Sequence, residues 1–252
     1  MEETLFSVEN KVIIITGGGR GIGKAIASAL ANRKAIVYCF DIEFQKKKSD
    51  DLTHGQYQVE VDITKISSIQ KTCEKIFKTH KKIDVLINNA GVIYPAKDCE
   101  IYSTHNWEKT LKVNLTGSFN CSQVVLGYMK KNKSGSIINI TSLNAELAFP
   151  NNPAYVASKG GLKMLGKALA RDWGIYGIRV NNLGPGYIKT DMTEASFKNK
   201  KTRKEREERT MLGRWGEVDD LIGPCVFLAS DASEYITGQD IYIDGGWLGK
   251  GL

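Results

Sequence analysis

Residues 11–26 read KVIIITGGGRGIGKAI, and the fold turns on how that stretch is taken. An apolar, β-branched run, Val12 to Ile15, meets five glycines in the eight positions Thr16 to Gly23. Each ordered glycine costs roughly 0.5–1 kcal/mol relative to alanine, so a cluster belongs where backbone turns tightly or something approaches it closely. Apolar residues then recur at Ile22, Ile26, Ala29 and Leu30, the spacing of a helix face. Strand, glycine turn and helix N-terminus together make a site at which backbone N–H groups can face a phosphate.

The same alternation continues along the chain. Strands are expected at AIVYCFD (35–41), YQVEVD (57–62), IDVLINNAG (83–91), GSIINITS (135–142), GIRVNNLGPG (177–186) and DIYID (240–244). Helical patterns separate them at 66–80, about 104–131, 155–175 and about 218–229. Strands joined through helices imply right-handed crossovers and a parallel sheet covered on both faces. The expectation is a single α/β domain over 1–252, a Rossmann-type doubly wound sheet of seven parallel strands. Only 187–210 breaks the rhythm, a polar insertion after a strand's carboxyl end that reads as a substrate lid.

Bulk properties narrow the function. The 252 residues are 42% hydrophobic and 25% charged, enough for a large core. No apolar run reaches the ~18–20 residues of a membrane span, and MEETLFSVENK opens with acids where a signal peptide carries bases, so a cytoplasmic protein is expected. The cysteines, Cys39, Cys73, Cys99, Cys121 and Cys225, form no C-x-x-C pair and read as reduced thiols, mostly buried. His54, His80 and His105 share no metal-ligand spacing, and no metal is expected. The net charge of +7 is dispersed, and its densest group, KNKKTRKEREER (198–209), interleaves acids with bases like a solvated helix face rather than a nucleic-acid stripe.

The glycines are spaced G-x-x-x-G-x-G at Gly17, Gly21 and Gly23, and Asp41 follows Gly21 by 20 residues at the end of the second strand. A carboxylate there accepts hydrogen bonds from ribose hydroxyls and repels a 2′-phosphate, which favours NAD over NADP. Arg20, inside the loop, is suited to a 2′-phosphate and points the other way. Asp41 also reads as an N-cap for whatever follows it.

YVASK (155–159) puts Tyr155 and Lys159 four apart on one face of a helix. A phenol of pKa near 10 needs roughly 4 kcal/mol of help to act as a base near pH 7, and an ammonium one turn away supplies part of it. Ser142 closes a strand 13 residues earlier, at the ligand-facing end of a parallel sheet, where its hydroxyl can donate to a substrate oxygen.

From Lys11 to Gly246 the chain resembles the short-chain dehydrogenase/reductase family. TGGGRGIG resembles its glycine loop, NNAG (88–91) its turn after the fourth strand and VNLTG (113–117) its helix asparagine motif. TS (141–142) with YVASK resembles its serine, tyrosine and lysine set, PGYIKT (185–190) its segment beside nicotinamide and DGG (244–246) the end of its last strand.

The resemblance implies that Tyr155 is the acid/base and that Lys159 lowers its pKa and binds the nicotinamide ribose. Ser142 then polarises the substrate oxygen, and Asn114 holds a water in a proton relay. It implies cofactor contacts at Gly17, Arg20, Gly21, Ile22 and Gly23, with Asp62 and Ile63 by the adenine. Asn89, Ala90 and Gly91 fall along the cofactor, and Pro185, Gly186, Ile188 and Thr190 near the nicotinamide and its phosphate. Asn89 also reads as a tie between strands, and Thr190 as a helix cap.

The segment from Leu212 to Trp247 resembles the branch of the family containing gluconate 5-dehydrogenase and 2-deoxygluconate 3-dehydrogenase. A sugar-type substrate needs a polar rim, and Tyr94, Asn144, Glu146, Tyr187 and Trp247 are its candidates. The expected activity is NAD-dependent hydride transfer at a secondary alcohol of a sugar, sugar acid or polyol. The alternative activity is NADPH-dependent reduction of a 3-oxoacyl carrier protein, or that of another short-chain carbonyl reductase, and a non-catalytic dinucleotide-binding regulator is the alternative outside enzymes. Family members commonly pair long helices into homotetramers, which here points to 104–131 and 155–175.

Overall fold

A computed structural model describes residues 5–44, 55–96 and 98–250. His54 lies outside the described residues. Seven strands form one sheet: β1 Val12–Thr16, β2 Ile36–Asp41, β3 Gln56–Glu60, β4 Val85–Asn88, β5 Gly135–Ile140, β6 Ile178–Pro185 and β7 Asp240–Ile243. Their order is β3-β2-β1-β4-β5-β6-β7, and every pairing is parallel. The order reverses between β1 and β4, and a crevice opens at such a switch point beyond the strands' carboxyl ends.

The continuous apolar runs are explained by burial on both faces. In β1, Ile13 and Ile15 enter one core while Val12 and Ile14 enter the other. The first core packs under helix α1 (Gly21–Ala31), through Ile26 and Leu30, and under α8 (Ile222–Ala229), through Cys225 and Leu228. The second packs under α2 (Ile66–His80), α4 (Ser118–Asn132) and α5 (Pro153–Trp173), through Ile69, Val125 and Trp173. Four of the five cysteines are buried in these cores, and burial lifts the thiols of Cys73 and Cys225 to about 12, so they pack as small apolar groups.

Helix α3 (Thr104–Leu111) leads into α4, but not as the uniform helix expected over 104–131. Lys112–Gly117 widens into a π-helical turn that carries Asn114. Asn114 is wholly buried, its amide donates to the carbonyl of Val92 (3.0 Å) and to Ser158 Oγ (3.1 Å), and its Oδ1 accepts from the Val92 N–H (2.8 Å). Such bulges in helices frequently occur at functional positions.

The 187–210 segment contains two helices, α6 (Glu194–Lys198) and α7 (Lys200–Arg209). Among the described residues no helix is long and apolar enough to cross a membrane.

A row of buried amides ties four strands together. Asn88 Nδ2 donates to Asn139 Oδ1 (2.9 Å), Asn139 Nδ2 to Asn182 Oδ1 (3.1 Å), and Asn182 Nδ2 to Asp240 Oδ1 (2.7 Å). Gly166 of α5 lies directly over this row, where a Cβ would sit 2.3 Å from Asn182 Oδ1 and 2.9 Å from Asn139 Nδ2. Gly166→Ala is therefore expected to destabilise the protein by about 2–3 kcal/mol, from overpacking and lost buried hydrogen bonds. Urea unfolding checks it: an unchanged midpoint would show that the asparagine row yields freely.

Candidate active site

The turn after β1 is shaped by what its glycines cannot accommodate. Gly17 (φ +66°) and Gly21 (φ +53°) hold the left-handed conformation that disfavours side chains. A Cβ on Gly17 would sit 2.9 Å from Ala90 Cα, and one on Gly23 would sit 2.2 Å from Gly17 O. Asn89 clamps this turn, donating from Nδ2 to the carbonyls of Thr16 (2.9 Å) and Gly17 (3.1 Å), so its reading as a tie between strands is met. Helix α1 starts at an extended Arg20 that provides no side-chain cap, which leaves the first-turn N–H groups facing the crevice over bare backbone. A diphosphate needs just these features.

Asp41 meets the loop from the end of β2. Its Oδ2 accepts the Gly19 N–H (3.0 Å) and its Oδ1 the Ile42 N–H (2.8 Å), which fixes the carboxylate at the loop's rim with acceptor capacity remaining. No helix follows Asp41 over 42–44, so the N-cap reading finds no helix there among the described residues. Arg20 is exposed, and Ile22 is half-buried against the α1 core. Asp62 curls onto Thr64, accepting from its N–H (3.0 Å) and hydroxyl (2.7 Å), while Ile63 is buried against Gly117 of the π-turn.

Past the switch point, Ala90 and Gly91 run beneath Asn114 and Lys159. A Cβ on Gly91 would lie 3.5 Å from Asn114 Oδ1 and 3.7 Å from Lys159 Nζ. At the end of β6, Gly186 N donates to Ile243 O (2.9 Å) beside Pro185. Ile188 is buried and bridges to Gly216, and Thr190 bonds to Thr193, the residue that precedes α6.

Tyr155 and Lys159 project from the first turns of α5, one turn apart, with the ammonium 5.6 Å from the phenol ring centre. Lys159 Nζ donates to Ile140 O (2.7 Å) at the end of β5, and burial depresses its pKa to about 8. Burial pushes the Tyr155 phenol up, and a hydrogen bond with the Ser142 hydroxyl pulls it back down. Ser142 also caps the short turn Leu143–Ala145, accepting the Asn144 N–H (3.2 Å) and donating to Asn144 Oδ1 (3.1 Å). Ser142, Asn144, Tyr155, Lys159 and Asn114 thus converge.

The five candidates for the polar rim divide. Tyr187 and Trp247 meet at 5.3 Å between ring centres in an aromatic cluster with Phe149 and Trp215. Glu146 does not join them: its Oε1 accepts from Lys163 and from Tyr242 OH (2.6 Å), which commits the carboxylate to an ion pair at the sheet's end. Tyr94 instead lies under the Lys109 ammonium of α3, 5.3 Å from its ring centre.

Phe149, Trp215 and Arg206 were not singled out by the sequence. Arg206 stacks on Tyr187 with its guanidinium carbon 4.0 Å from the ring centre, so the 198–209 group is not merely a solvated face. Arginines at 203, 206 and 209 fall three apart on α7, a period visible beforehand, but their aromatic partners lie elsewhere in the sequence.

A bare glycine loop at the switch point, with the carboxylate of Asp41 beside it, defines a dinucleotide-binding protein. The family model described as Enoyl-(Acyl carrier protein) reductase matches residues 17–248. A 2-dehydro-3-deoxy-D-gluconate 5-dehydrogenase of Bacillus subtilis (strain 168) is 36% identical over 252 residues, covering 97% of each chain. A 3-oxoacyl-[acyl-carrier-protein] reductase of Thermotoga maritima is also 36% identical, over 95% of this chain and 98% of its own. The crystal structure of a gluconate 5-dehydrogenase from Burkholderia cenocepacia J2315, in complex with NADP and tartrate, superposes with a TM-score of 0.92 at 32% identity, covering all of both chains. The chain belongs to the short-chain dehydrogenase/reductase family, and it is a nicotinamide-dependent oxidoreductase acting on hydroxyl groups.

Proposed function

We propose that this enzyme oxidises a secondary alcohol of a sugar acid, and reduces the corresponding ketone in reverse. The observation that carries the reading is the convergence of half-buried Ser142 and Tyr155 with buried Lys159 in one corner at the end of β5. The names of relatives from Bacillus subtilis and Burkholderia cenocepacia support the substrate class.

Tyr155 takes the proton of the substrate hydroxyl, or returns it to the carbonyl, at its phenol oxygen. Ser142 turns its hydroxyl proton from Asn144 Oδ1 to the same substrate oxygen as charge develops on it, while its oxygen still accepts the Asn144 N–H. Lys159 stabilises the phenolate electrostatically, and Asn114, held by Val92 and Ser158, supports a water-borne proton path from Lys159. The nicotinamide, when bound, accepts or donates the hydride.

Gly17, Arg20, Gly21, Ile22 and Gly23 would hold the diphosphate, Asp41 the adenosine ribose, and Asp62 and Ile63 the adenine. Ala90 and Gly91 would pass beneath the dinucleotide, with Asn89 holding the loop in shape. Pro185, Gly186, Ile188 and Thr190 would flank the nicotinamide. The segment 187–210 acts as a lid that excludes water once substrate is bound.

Asp41 supports NAD as the preferred cofactor, because a carboxylate at the loop's rim repels a 2′-phosphate. Two observations favour a second reading with NADP: exposed Arg20 beside the same rim, and the NADP in the Burkholderia cenocepacia structure. Asp41→Ala is expected to raise kcat/KM for NADP⁺ relative to NAD⁺ by about 10-fold or more, the worth of one charge repulsion near ~1.4 kcal/mol. A ratio unchanged from wild type would remove Asp41 from cofactor choice.

The function itself is tested by following reduced-nicotinamide absorbance with aldonates, aldoses, polyols and a 3-oxoacyl thioester. Oxidation of an aldonate is expected. Reduction of the thioester alone, with NADPH, would replace the reading with that of the carrier-protein reductase.

We also propose a homotetramer paired through α4 and α5. Ala157 is exposed and a Cβ on Gly160 would meet nothing within 4 Å, so a second helix can approach closely. Light scattering should return about four times the 27.9 kDa chain mass, and a monomer mass would overturn the pairing.

A further inference from the structure

Three arginines of α7 lie over aromatic rings, and one is unlike the other two. Arg203 covers Phe197 at 4.5 Å and pairs through Nε with Glu207 (2.8 Å). Arg209 is exposed, 5.7 Å from the Trp247 ring centre. Arg206 is half-buried, its guanidinium carbon 4.0 Å from the Tyr187 ring centre and a hydrogen bond linking the two side chains, yet its Nη1 is buried with no hydrogen-bond partner among the described residues. It is the one charged group among the described residues left with such an atom.

A guanidinium cannot shed its charge to relieve this, because it stays protonated at any relevant pH. A buried donor without an acceptor costs about 1–3 kcal/mol, and more when charged, so its retention over Tyr187 calls for an incoming acceptor. The surrounding acids are engaged elsewhere: Glu207 with Arg203, Glu208 with Lys204, Asp220 with Arg214, and Asp244 with the N–H groups of Gly246 and Leu248. Tyr187, under the guanidinium, lies close enough to Tyr155 to raise its phenol pKa. Tyr187 follows the carboxyl end of β6, which pairs with the strand that leads into Ser142, and its ring lies 5.9 Å from that of Phe149 in the segment after Ser142, so Arg206 stands over the ligand-facing end of the sheet beside the reaction corner. A planar fork of N–H donors matches two carboxylate oxygens better than any single hydroxyl.

We propose that Arg206 receives the carboxylate of the substrate and sets the preference for sugar acids over neutral polyols. The assignment rests on the sugar-acid reading above and names the residue that would enforce it. An aldonate would lie with its reacting carbinol at Tyr155 and its carboxylate beneath α7, held by Arg206 against the Tyr187 face.

Two measurements test this. The first titrates tartrate, a hydroxylated dicarboxylate, by calorimetry into protein saturated with NAD⁺ and, separately, with NADP⁺. Arg206→Gln should weaken tartrate at least about 10-fold, Arg206→Lys should restore part of it, and Arg203→Gln should leave it as in wild type. The second compares gluconate with sorbitol. Arg206→Gln should lower the gluconate-to-sorbitol ratio of kcat/KM by at least about 50-fold, mostly through the gluconate KM, with the cofactor KM unmoved.

Equal losses for gluconate and sorbitol, or an equal effect of Arg203→Gln, would make Arg206 a clamp for α7 and overturn the proposal. So would tartrate binding that is undetectable in wild type or indifferent to Arg206, or a loss confined to the cofactor KM. Should wild type oxidise no sugar acid while tartrate still depends on Arg206, the sugar-acid reading falls and the carboxylate site stands.

Discussion

Tyr155→Phe lowers kcat at least about 100-fold, the usual worth of a positioned acid/base, while the cofactor still binds. The change removes a single oxygen, so the α5 turn keeps its packing. What is lost is the group proposed to exchange a proton with the substrate oxygen. Burial lifts the Tyr155 phenol above its ordinary value, and the Ser142 hydroxyl only partly opposes this. Reaching a working pKa near 7 takes more than the about 4 kcal/mol that separates it from the ordinary value of 10, drawn from the Lys159 ammonium and the positive ring of an oxidised nicotinamide. Steady-state turnover and a cofactor titration check the pair of outcomes. Full turnover in Tyr155→Phe would move the acid/base elsewhere.

Lys159→Met carries the second large effect, and it acts in two directions. Turnover falls by about 100-fold or more, because the phenolate loses its nearest cation. Stability at pH 7 rises. Burial lowers the Lys159 pKa from 10.5 to about 8, so the folded state resists its charge. Below about pH 8 both folded and unfolded chains carry the proton, and the burial penalty is borne in full, about 3 kcal/mol for a shift of this size. Between about 8 and 10.5 the unfolded chain binds more protons than the folded one, so wild-type stability recovers as pH rises. Methionine gives up the charge-assisted bond to Ile140 O, worth about 1.5–3 kcal/mol, which leaves a net gain of up to about 1–2 kcal/mol at pH 7 that fades above about pH 9. Denaturant unfolding of both proteins at two pH values checks the sign. A Lys159→Met protein that is less stable at pH 7 would show that the ammonium is well solvated in the folded state.

Much of this architecture was legible because it is written locally. Val12–Ile15 running into Gly17, Gly21 and Gly23 needs only strand sterics and glycine conformations to be read, and the structure follows it. The four-residue interval of Tyr155 and Lys159 likewise needs only helix periodicity. The inner strands emerge from apolar runs because each is buried on two faces, whereas β3 and β7 lie at the sheet's edges and are part-exposed.

What escaped depends on partners distant in the chain. Glu146, two residues past Asn144, reads as a pocket residue until Lys163 and Tyr242 are brought to it. The π-turn at Lys112–Gly117 has no signature of its own: its extra residue is fixed by Asn114 reaching Val92 and Ser158. Arg206 sits in a run of alternating charge that resembles any exposed helix, and only Tyr187 and Trp215 distinguish it.

On the proposed function, this corner moves a hydride between a sugar acid and a nicotinamide ring. Gluconate deuterated at one secondary carbon at a time, turned over with NAD⁺ or NADP⁺, tests it most directly by mass spectrometry of the reduced cofactor. One labelled position is predicted to pass its deuterium to the nicotinamide, and Tyr155→Phe to suppress that transfer at least about 100-fold. A cofactor that stays unlabelled from every position, in an enzyme that nonetheless reduces a 3-oxoacyl thioester, would contradict the account.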